Sequence, residues 1–118
     1  MKKEDLIRRT RAFAISNALL IQDLPYSVTN KNYSNQLIRC SSSPGANYRA
    51  ACRAKSKADF INKLKIVEEE LDKTLYFLDL LIEFIGTFKD RISEIMKEGD
   101  ELLAIVVASV NTLRGSNS

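Results

Sequence analysis

Histidine is absent from this 118-residue chain, and proline, cysteine and glycine are scarce, with two, two and four copies. Without histidine, the chain lacks the commonest metal ligand and the commonest general acid–base group of enzymes. The scarcity of proline and glycine leaves little material for turns, so we expect a few long secondary-structure elements. We therefore predict no catalytic residues, no metal site and no cofactor.

The two cysteines, Cys40 and Cys52, do not suggest a disulfide. If one helix carries both, their Cα atoms are roughly 18 Å apart, from the rise per residue of an α-helix. A disulfide requires Cα atoms within about 7 Å of each other. We expect two reduced thiols instead.

Long apolar runs are also missing. The longest candidates, LYFLDLLIEFI and LLAIVVASV, are either interrupted by acids or too short to span a bilayer. The opening residues MKKEDLIRRTR place two acids where a signal peptide needs its apolar run. These patterns predict a soluble, cytoplasmic protein that does not bind membranes.

Apolar residues recur every three or four positions along most of the chain, which is the spacing of amphipathic helices. The predicted helices cover about residues 4–24, 31–55, 57–85 and 88–113. No segment alternates with a period of two, so no strand is predicted. Long helices with short connections favour an antiparallel, up-and-down four-helix bundle, which we expect to form a single domain over residues 1–118.

The segment SSSPGANYR, residues 41–49, has two interpretations. A phosphate-binding loop would need more glycines, a Gly-Lys-Ser/Thr ending and a preceding strand, none of which is present. On a continuous helix, by contrast, the apolar residues of 31–55 sort onto one face and the basic residues onto the other. We therefore predict a helix that is kinked or interrupted near Pro44.

Small and apolar residues around this proline predict close packing against another helix. That helix belongs either to the same bundle or to a neighbouring subunit. The predicted packing residues are Gly45, Ala46, Asn47, Tyr48 and Ala51. Thr10, Asn17 and Asn47 lie on apolar stripes, and we expect them to fix the helix register through hydrogen bonds across the bundle.

Charge is unevenly distributed, although the net charge is only +3. Residues 25–55 contain five basic residues and no acid, whereas residues 56–86 contain seven acids and four bases. Arg49 and Arg53 either pair with the acidic run Glu68–Glu70, within one chain or between chains, or contribute to a basic surface for phosphates. The candidate nucleic-acid-binding residues are Arg8, Arg9, Arg11, Lys31, Arg39, Arg49 and Arg53.

A family resemblance centres on residues 41–81. A serine-rich stretch precedes Gly-Ala-Asn and Arg49, and Ser56-Lys57 with Phe60 opens a leucine-spaced helix that carries Glu68–Glu70. The segments RAFAISNALLIQDLP and NTLRG fit as well. This pattern resembles the S23, or 23S rRNA intervening-sequence, protein family.

The resemblance implies a four-helix up-and-down bundle without catalytic activity that assembles as a ring-shaped homopentamer. The family is also similar to accessory variability proteins, which assist reverse transcriptases in diversity-generating retroelements. Their basic ring surface is thought to bind nucleic acid and the polymerase.

Two functions therefore compete. In the first, the protein is a non-enzymatic oligomer that binds structured RNA, or an RNA–protein complex, through its basic surface. In the second, it is a homo-oligomeric interaction scaffold, for example an accessory subunit of a reverse transcriptase. An enzyme is not expected, since a di-iron bundle needs Glu-x-x-His pairs and the chain has no histidine.

Overall fold

A computed structural model describes residues 2–115 of the chain. Four α-helices account for most of this range: α1 (Lys3–Asp23), α2 (Val28–Ala51), α3 (Lys57–Phe84) and α4 (Lys89–Gly115). A short 3₁₀ helix, Gly86–Phe88, connects α3 to α4. Since residues 2–115 contain no strand, the predicted all-α fold is confirmed.

The helices form a bundle in which each one packs against two others. Helix α1 contacts α2 and α4, and α3 contacts the same two helices. Thr10 lies beside Gly45, and Arg9 lies beside Glu98. These pairings, with the short connections, favour the predicted antiparallel order.

The bounds of α2 differ from the prediction at both ends. The helix begins at Val28 because the Ser27 hydroxyl accepts a hydrogen bond from the Asn30 backbone N–H at 2.9 Å. It ends at Ala51, and tight turns follow, in which the backbone N–H groups of Arg53 and Ala54 donate to carbonyls three residues earlier. Arg53 therefore lies just beyond the helix and not within it.

Pro44 is buried inside α2, and the helix continues through it without interruption. Proline has no backbone N–H to donate to the carbonyl of Cys40. Three residues later, the Asn47 amide donates to the Ser43 carbonyl at 3.0 Å and to the Ser43 hydroxyl at 2.8 Å. The predicted rod is confirmed, while a kink in its axis stays a prediction.

The core follows the apolar spacing of the sequence. Every helix contributes side chains that are almost fully buried: Phe13 and Leu20 from α1, Leu37 from α2, Leu64, Leu71 and Leu78 from α3, and Ile92, Leu102 and Val106 from α4. Their burial supplies the main favourable free energy of folding, at roughly 1.5–3 kcal/mol for each large aliphatic side chain.

Three polar side chains on apolar faces do not bond across the bundle, so the prediction for them is wrong. Thr10 donates to the Leu6 carbonyl at 2.7 Å, and Asn17 donates to the Phe13 carbonyl at 2.9 Å. Asn47 likewise bonds to Ser43. A carbonyl four residues earlier on the same helix is the nearest acceptor, so all three donors bond locally. The buried Oδ1 of Asn17 has no hydrogen-bond partner among the described residues.

Gly99 permits the close approach of α4 to two other helices. A side-chain carbon at this position would lie 2.9 Å from Leu75 Cδ2 and 3.1 Å from Phe13 Cζ. Contacts this short require neighbouring atoms to move, and the Phe13 ring is itself buried in the core.

We expect the substitution Gly99→Val to lower the free energy of unfolding by about 2–3 kcal/mol, because an overpacked core forces side chains off their rotamers. Gly115→Val is the matched control, since nothing lies within 4 Å of the position of its added carbon. Urea denaturation followed by circular dichroism measures both variants. Equal losses for the two would contradict the assigned close contact.

Candidate nucleic-acid interface

Helix α2, together with the turn that follows it, separates apolar from basic residues as predicted. Leu37, Cys40 and Tyr48 are buried against the other helices. The basic residues Lys31, Arg39, Arg49 and Arg53 are all exposed. One side of this segment therefore stabilises the bundle, while the other presents positive charge to solvent.

Arg49 and Arg53 do not pair with the acidic run Glu68–Glu70 of the same chain. Glu68 pairs with Lys65 at 3.0 Å, and Glu70 pairs with Lys73 at 3.5 Å, both on α3 itself. Over residues 2–115, no salt bridge involves Arg49 or Arg53. Their charge is not neutralised within one chain, which leaves the phosphate-binding alternative open.

The three arginines near the start of α1 have three different environments. Arg9 faces α4, where its guanidinium donates to Glu98, with 3.0 Å between Nε and Oε2, and lies 3.4 Å from a Glu101 oxygen. Its side chain is only 17% exposed. The hydrogen bond to Glu98, opposed in part by burial, raises the pKa of Arg9. Arg9 is therefore part of the α1–α4 contact, and not of an open basic surface.

The neighbours of Arg9 remain on the surface. Arg8 is exposed and lies 3.3 Å from the Asp5 carboxylate on its own helix. Arg11 is exposed and has no ion pair within residues 2–115; it lines a hollow between α1 and α2. Of the three predicted arginines, Arg11 is thus the one that approaches the basic face of α2.

Two adjoining hollows between α1 and α2 form what we call the basic groove. The first, of about 300 Å³, is lined by Ile7, Thr10, Arg11, Ala14, Ser42, Gly45, Ala46 and Arg49. The second, of about 350 Å³, is lined by Lys3, Ile7, Arg49, Cys52 and Arg53. Ile7 and Arg49 are common to both, and no acidic residue lines either hollow. Four cations therefore surround a single groove.

Small residues keep this groove open and its helices close together. A side-chain carbon at Gly45 would lie 3.4 Å from Thr10 Oγ1, so Gly45 packs against α1 of the same chain. Ala46 is exposed and lines the groove, whereas Tyr48 and Ala51 point into the core. Among the predicted packing residues, Gly45 and Ala46 shape the groove.

Tyr48 stays neutral beneath this surface. Burial, together with the neighbouring Cys52 and the charge of Glu4, raises the pKa of Tyr48 to about 12. Its phenol is therefore protonated at physiological pH and adds no negative charge next to Arg49 and Arg53.

Lys3 belongs to the groove but was not among the predicted residues. Lys3, Ile7 and Arg11 are each four residues apart, which places them on the same face of α1. This spacing of four residues could have identified Lys3 as a groove residue from the sequence. Lys31 and Arg39 line neither hollow of the groove, because they lie nearer the start of α2.

Helix α3 carries a second charged surface, which we call the acidic stripe. It consists of Glu69, Asp72, Asp79 and Glu83, with Tyr76 between them; all are exposed, and their spacing of three and four places them on one helix face. Within residues 2–115, none of these four carboxylates forms a salt bridge. The sequence analysis noted the excess of acids in residues 56–86 but did not identify this stripe, although its heptad-like spacing is visible in the sequence.

Aromatic rings adjoin the acidic stripe. Tyr76 packs edge-on against Phe77 with 5.5 Å between ring centroids, and Tyr33 lies 6.2 Å from Phe77 and 5.8 Å from Phe84. Tyr76 and Phe84 remain 60% and 56% exposed. The α2–α3 face thus combines negative charge with exposed aromatic surface.

The described part of the chain contains neither a candidate metal cluster nor a candidate membrane-spanning helix. No three histidine, cysteine or carboxylate residues of 2–115 converge in a way that would hold a metal ion. Across the same residues, no helix has the length and apolarity needed to cross a membrane.

Comparisons with known proteins agree with this fold. A family model described as 23S rRNA-intervening sequence protein matches residues 2–108. The chain is also similar to a crystal structure of a protein with unknown function from the S23 ribosomal protein family of Bacteroides thetaiotaomicron VPI-5482. The two chains share 29% identity with a TM-score of 0.80, over 89% of this chain and 97% of that one. No curated protein matches the chain.

The different environments of Arg8 and Arg9 lead to different expectations for stability. Arg9→Ala should lower the free energy of unfolding by about 1 kcal/mol, because it removes a forked hydrogen bond that joins α1 to α4. Arg8→Ala should change it by less than about 0.5 kcal/mol, as expected for an exposed pair on one helix. Urea denaturation measures both.

A charge exchange provides the control for this pair. Arg9→Glu alone should destabilise the bundle, and Arg9→Glu combined with Glu98→Arg should recover part of the loss. Additive losses in the double variant would argue against a direct Arg9–Glu98 interaction.

Proposed function

The chain belongs to the 23S rRNA-intervening sequence protein family, and we propose that it is a non-enzymatic, oligomeric helical bundle that binds structured RNA through the basic groove. The observation that carries this proposal is the convergence of Lys3, Arg11, Arg49 and Arg53 on one groove without an acidic residue in its lining. Phosphate groups are the most common ligands of such clusters in nucleic-acid-binding proteins.

The absence of internal ion pairs supports this interpretation. None of the four cations forms a salt bridge within residues 2–115, so RNA would not have to displace a carboxylate from them. Counterions occupy such a surface instead, and their release on binding favours association at low salt.

Oligomerisation would strengthen binding further. One chain carries a net charge of only +3, but a ring of five copies would carry about +15 and would repeat the groove around its rim. Lys31 and Arg39, exposed on α2, would extend the contact surface beyond the groove. Several weak contacts on one RNA molecule then act together as a tight, salt-sensitive interaction.

Salt dependence tests this function directly. We expect the logarithm of the affinity for a folded RNA to fall linearly with the logarithm of salt concentration. The slope should be about −3 to −4 if four phosphates are contacted per site. Arg49→Gln should weaken binding several-fold and reduce the size of that slope by about 1.

Lys97→Gln is the matched control, because Lys97 is an exposed base on α4 away from the groove. It should leave affinity and slope unchanged. Absence of RNA binding at low salt, or equal effects of the two substitutions, would reject the proposal.

A second candidate function is a homo-oligomeric interaction scaffold, for example an accessory subunit of a reverse transcriptase. The observation that favours it is the acidic stripe, since its four carboxylates also have no salt bridges within residues 2–115. One surface of each sign on the same chain would allow copies to associate head to tail, as a ring or a filament. The exposed rings of Tyr76 and Phe84 would add apolar contact area to such an interface.

Charge reversal tests whether the acidic stripe joins subunits. If it joins subunits, Asp79→Lys combined with Glu83→Lys should reduce the oligomer mass measured by light scattering, because like charges would face each other at the interface. Asp100→Lys, at an exposed site on α4, is the control and should leave the mass unchanged. An unchanged mass for the double variant would place the interface elsewhere.

A further inference from the structure

We propose that the basic groove binds the sugar–phosphate backbone of double-helical RNA and does not recognise the bases of a single strand. This inference rests on the proposed RNA-binding function and specifies the class of RNA. It follows from the chemistry of the groove lining, from the arrangement of its cations and from the position of the exposed aromatic rings.

The groove has no platform on which bases can stack. Its lining consists of basic, aliphatic, small and hydroxyl or thiol side chains, and no aromatic residue lines either hollow. Proteins that bind single-stranded RNA usually stack its unpaired bases on aromatic side chains, which supply about 1–3 kcal/mol per base. A groove without rings lacks this interaction and offers its ligand mainly positive charge.

The exposed aromatic rings lie where RNA is disfavoured or out of reach. The exposed rings of Tyr76 and Phe84 lie next to the acidic stripe, whose carboxylates repel phosphates. They form a cluster with the half-buried rings of Tyr33 and Phe77. Tyr26 is 80% exposed and lines a separate hollow with Lys31. Lys31 precedes Arg49 by roughly 27 Å of helix, so a base stacked on Tyr26 would not lie in the groove.

The cations form two rows, and a duplex also presents two strands. Lys3 and Arg11 lie on α1, separated by roughly 12 Å along its axis. Arg49 on α2, with Arg53 just beyond its end, forms the second row. Packed helices have axes about 8–10 Å apart, so the two rows are not collinear. A single strand can follow one row, whereas a duplex can place a phosphate strand against each of them.

The shape of the groove agrees with this assignment. Gly45, Ala46 and Ala14 have no side chain large enough to insert between bases. A-form RNA has a wide, shallow minor groove bordered by phosphates and 2′-hydroxyls, and proteins recognise it mainly by shape and backbone contacts. The exposed Ser42 hydroxyl can donate to or accept from such a 2′-hydroxyl.

Matched RNA probes test the inference. One probe is a hairpin whose stem has about 16 base pairs, the length that a double-stranded RNA-binding domain spans. The other is an unstructured single strand of equal length and similar composition. At equal salt we expect the hairpin to bind at least tenfold more tightly. Arg11→Gln and Arg49→Gln, one from each row, should each weaken hairpin binding about five- to tenfold, while Tyr26→Ala and Tyr76→Ala should not change it.

The outcomes separate this inference from the proposed function. If the single strand binds as tightly as the hairpin, or if Tyr26→Ala removes binding, the duplex assignment is wrong while RNA binding stands. If neither probe binds at low salt, the proposed function itself fails. Circular dichroism of each variant confirms that lost binding does not reflect lost helix.

Discussion

The close packing of α1 against α2 is the constraint on which the surface chemistry depends. Gly45 has no side chain, and a carbon there would already lie 3.4 Å from the Thr10 hydroxyl. Because the two helices meet so closely, Arg11 and Arg49 line the same hollow although 37 residues of sequence separate them. A bulky residue at Gly45 would push the helices apart and would change the spacing of the charges as well as the packing. Stability and the charged surface are therefore linked through one contact.

Helix positions were largely predictable because they depend on local periodicity, whereas helix ends and polar contacts depend on individual hydrogen bonds. The Ser27 cap starts α2 earlier than its apolar pattern suggests, and the tight turns after Ala51 end it earlier. Asn17 illustrates the difference. The sequence places it correctly on an apolar stripe, but its hydrogen-bond partner is the Phe13 carbonyl on its own helix and not a group across the bundle. Burial is thus visible in the pattern of the sequence, while the choice of hydrogen-bond partner is not.

The candidate site was predictable only in part, since charge along a sequence does not specify charge on a surface. Arg8, Arg9 and Arg11 lie within four consecutive residues, but successive helix positions differ by about 100° in direction. Arg9 consequently meets Glu98, a partner 89 residues away that only the fold brings near. Arg49 and Arg53 had an equally plausible acidic run to pair with, but two of its three carboxylates, Glu68 and Glu70, pair instead with lysines on their own helix.

The small net charge of the chain includes contributions from two oppositely charged surfaces, the basic groove and the acidic stripe, which lie on different helices. Charges in solvent are screened over about 8 Å at physiological ionic strength, and the bundle is about 20 Å across. A phosphate in the basic groove therefore responds mainly to the cations within a few ångströms, and only weakly to carboxylates on an outward face of α3. An acidic stripe on one side can therefore coexist with a basic groove on another, because each surface acts mainly on charges close to it. For this reason, self-association through the acidic stripe and RNA binding through the basic groove do not exclude each other on electrostatic grounds. A copy whose acidic stripe contacts a neighbour still exposes its own Arg11 and Arg49, unless that neighbour covers them.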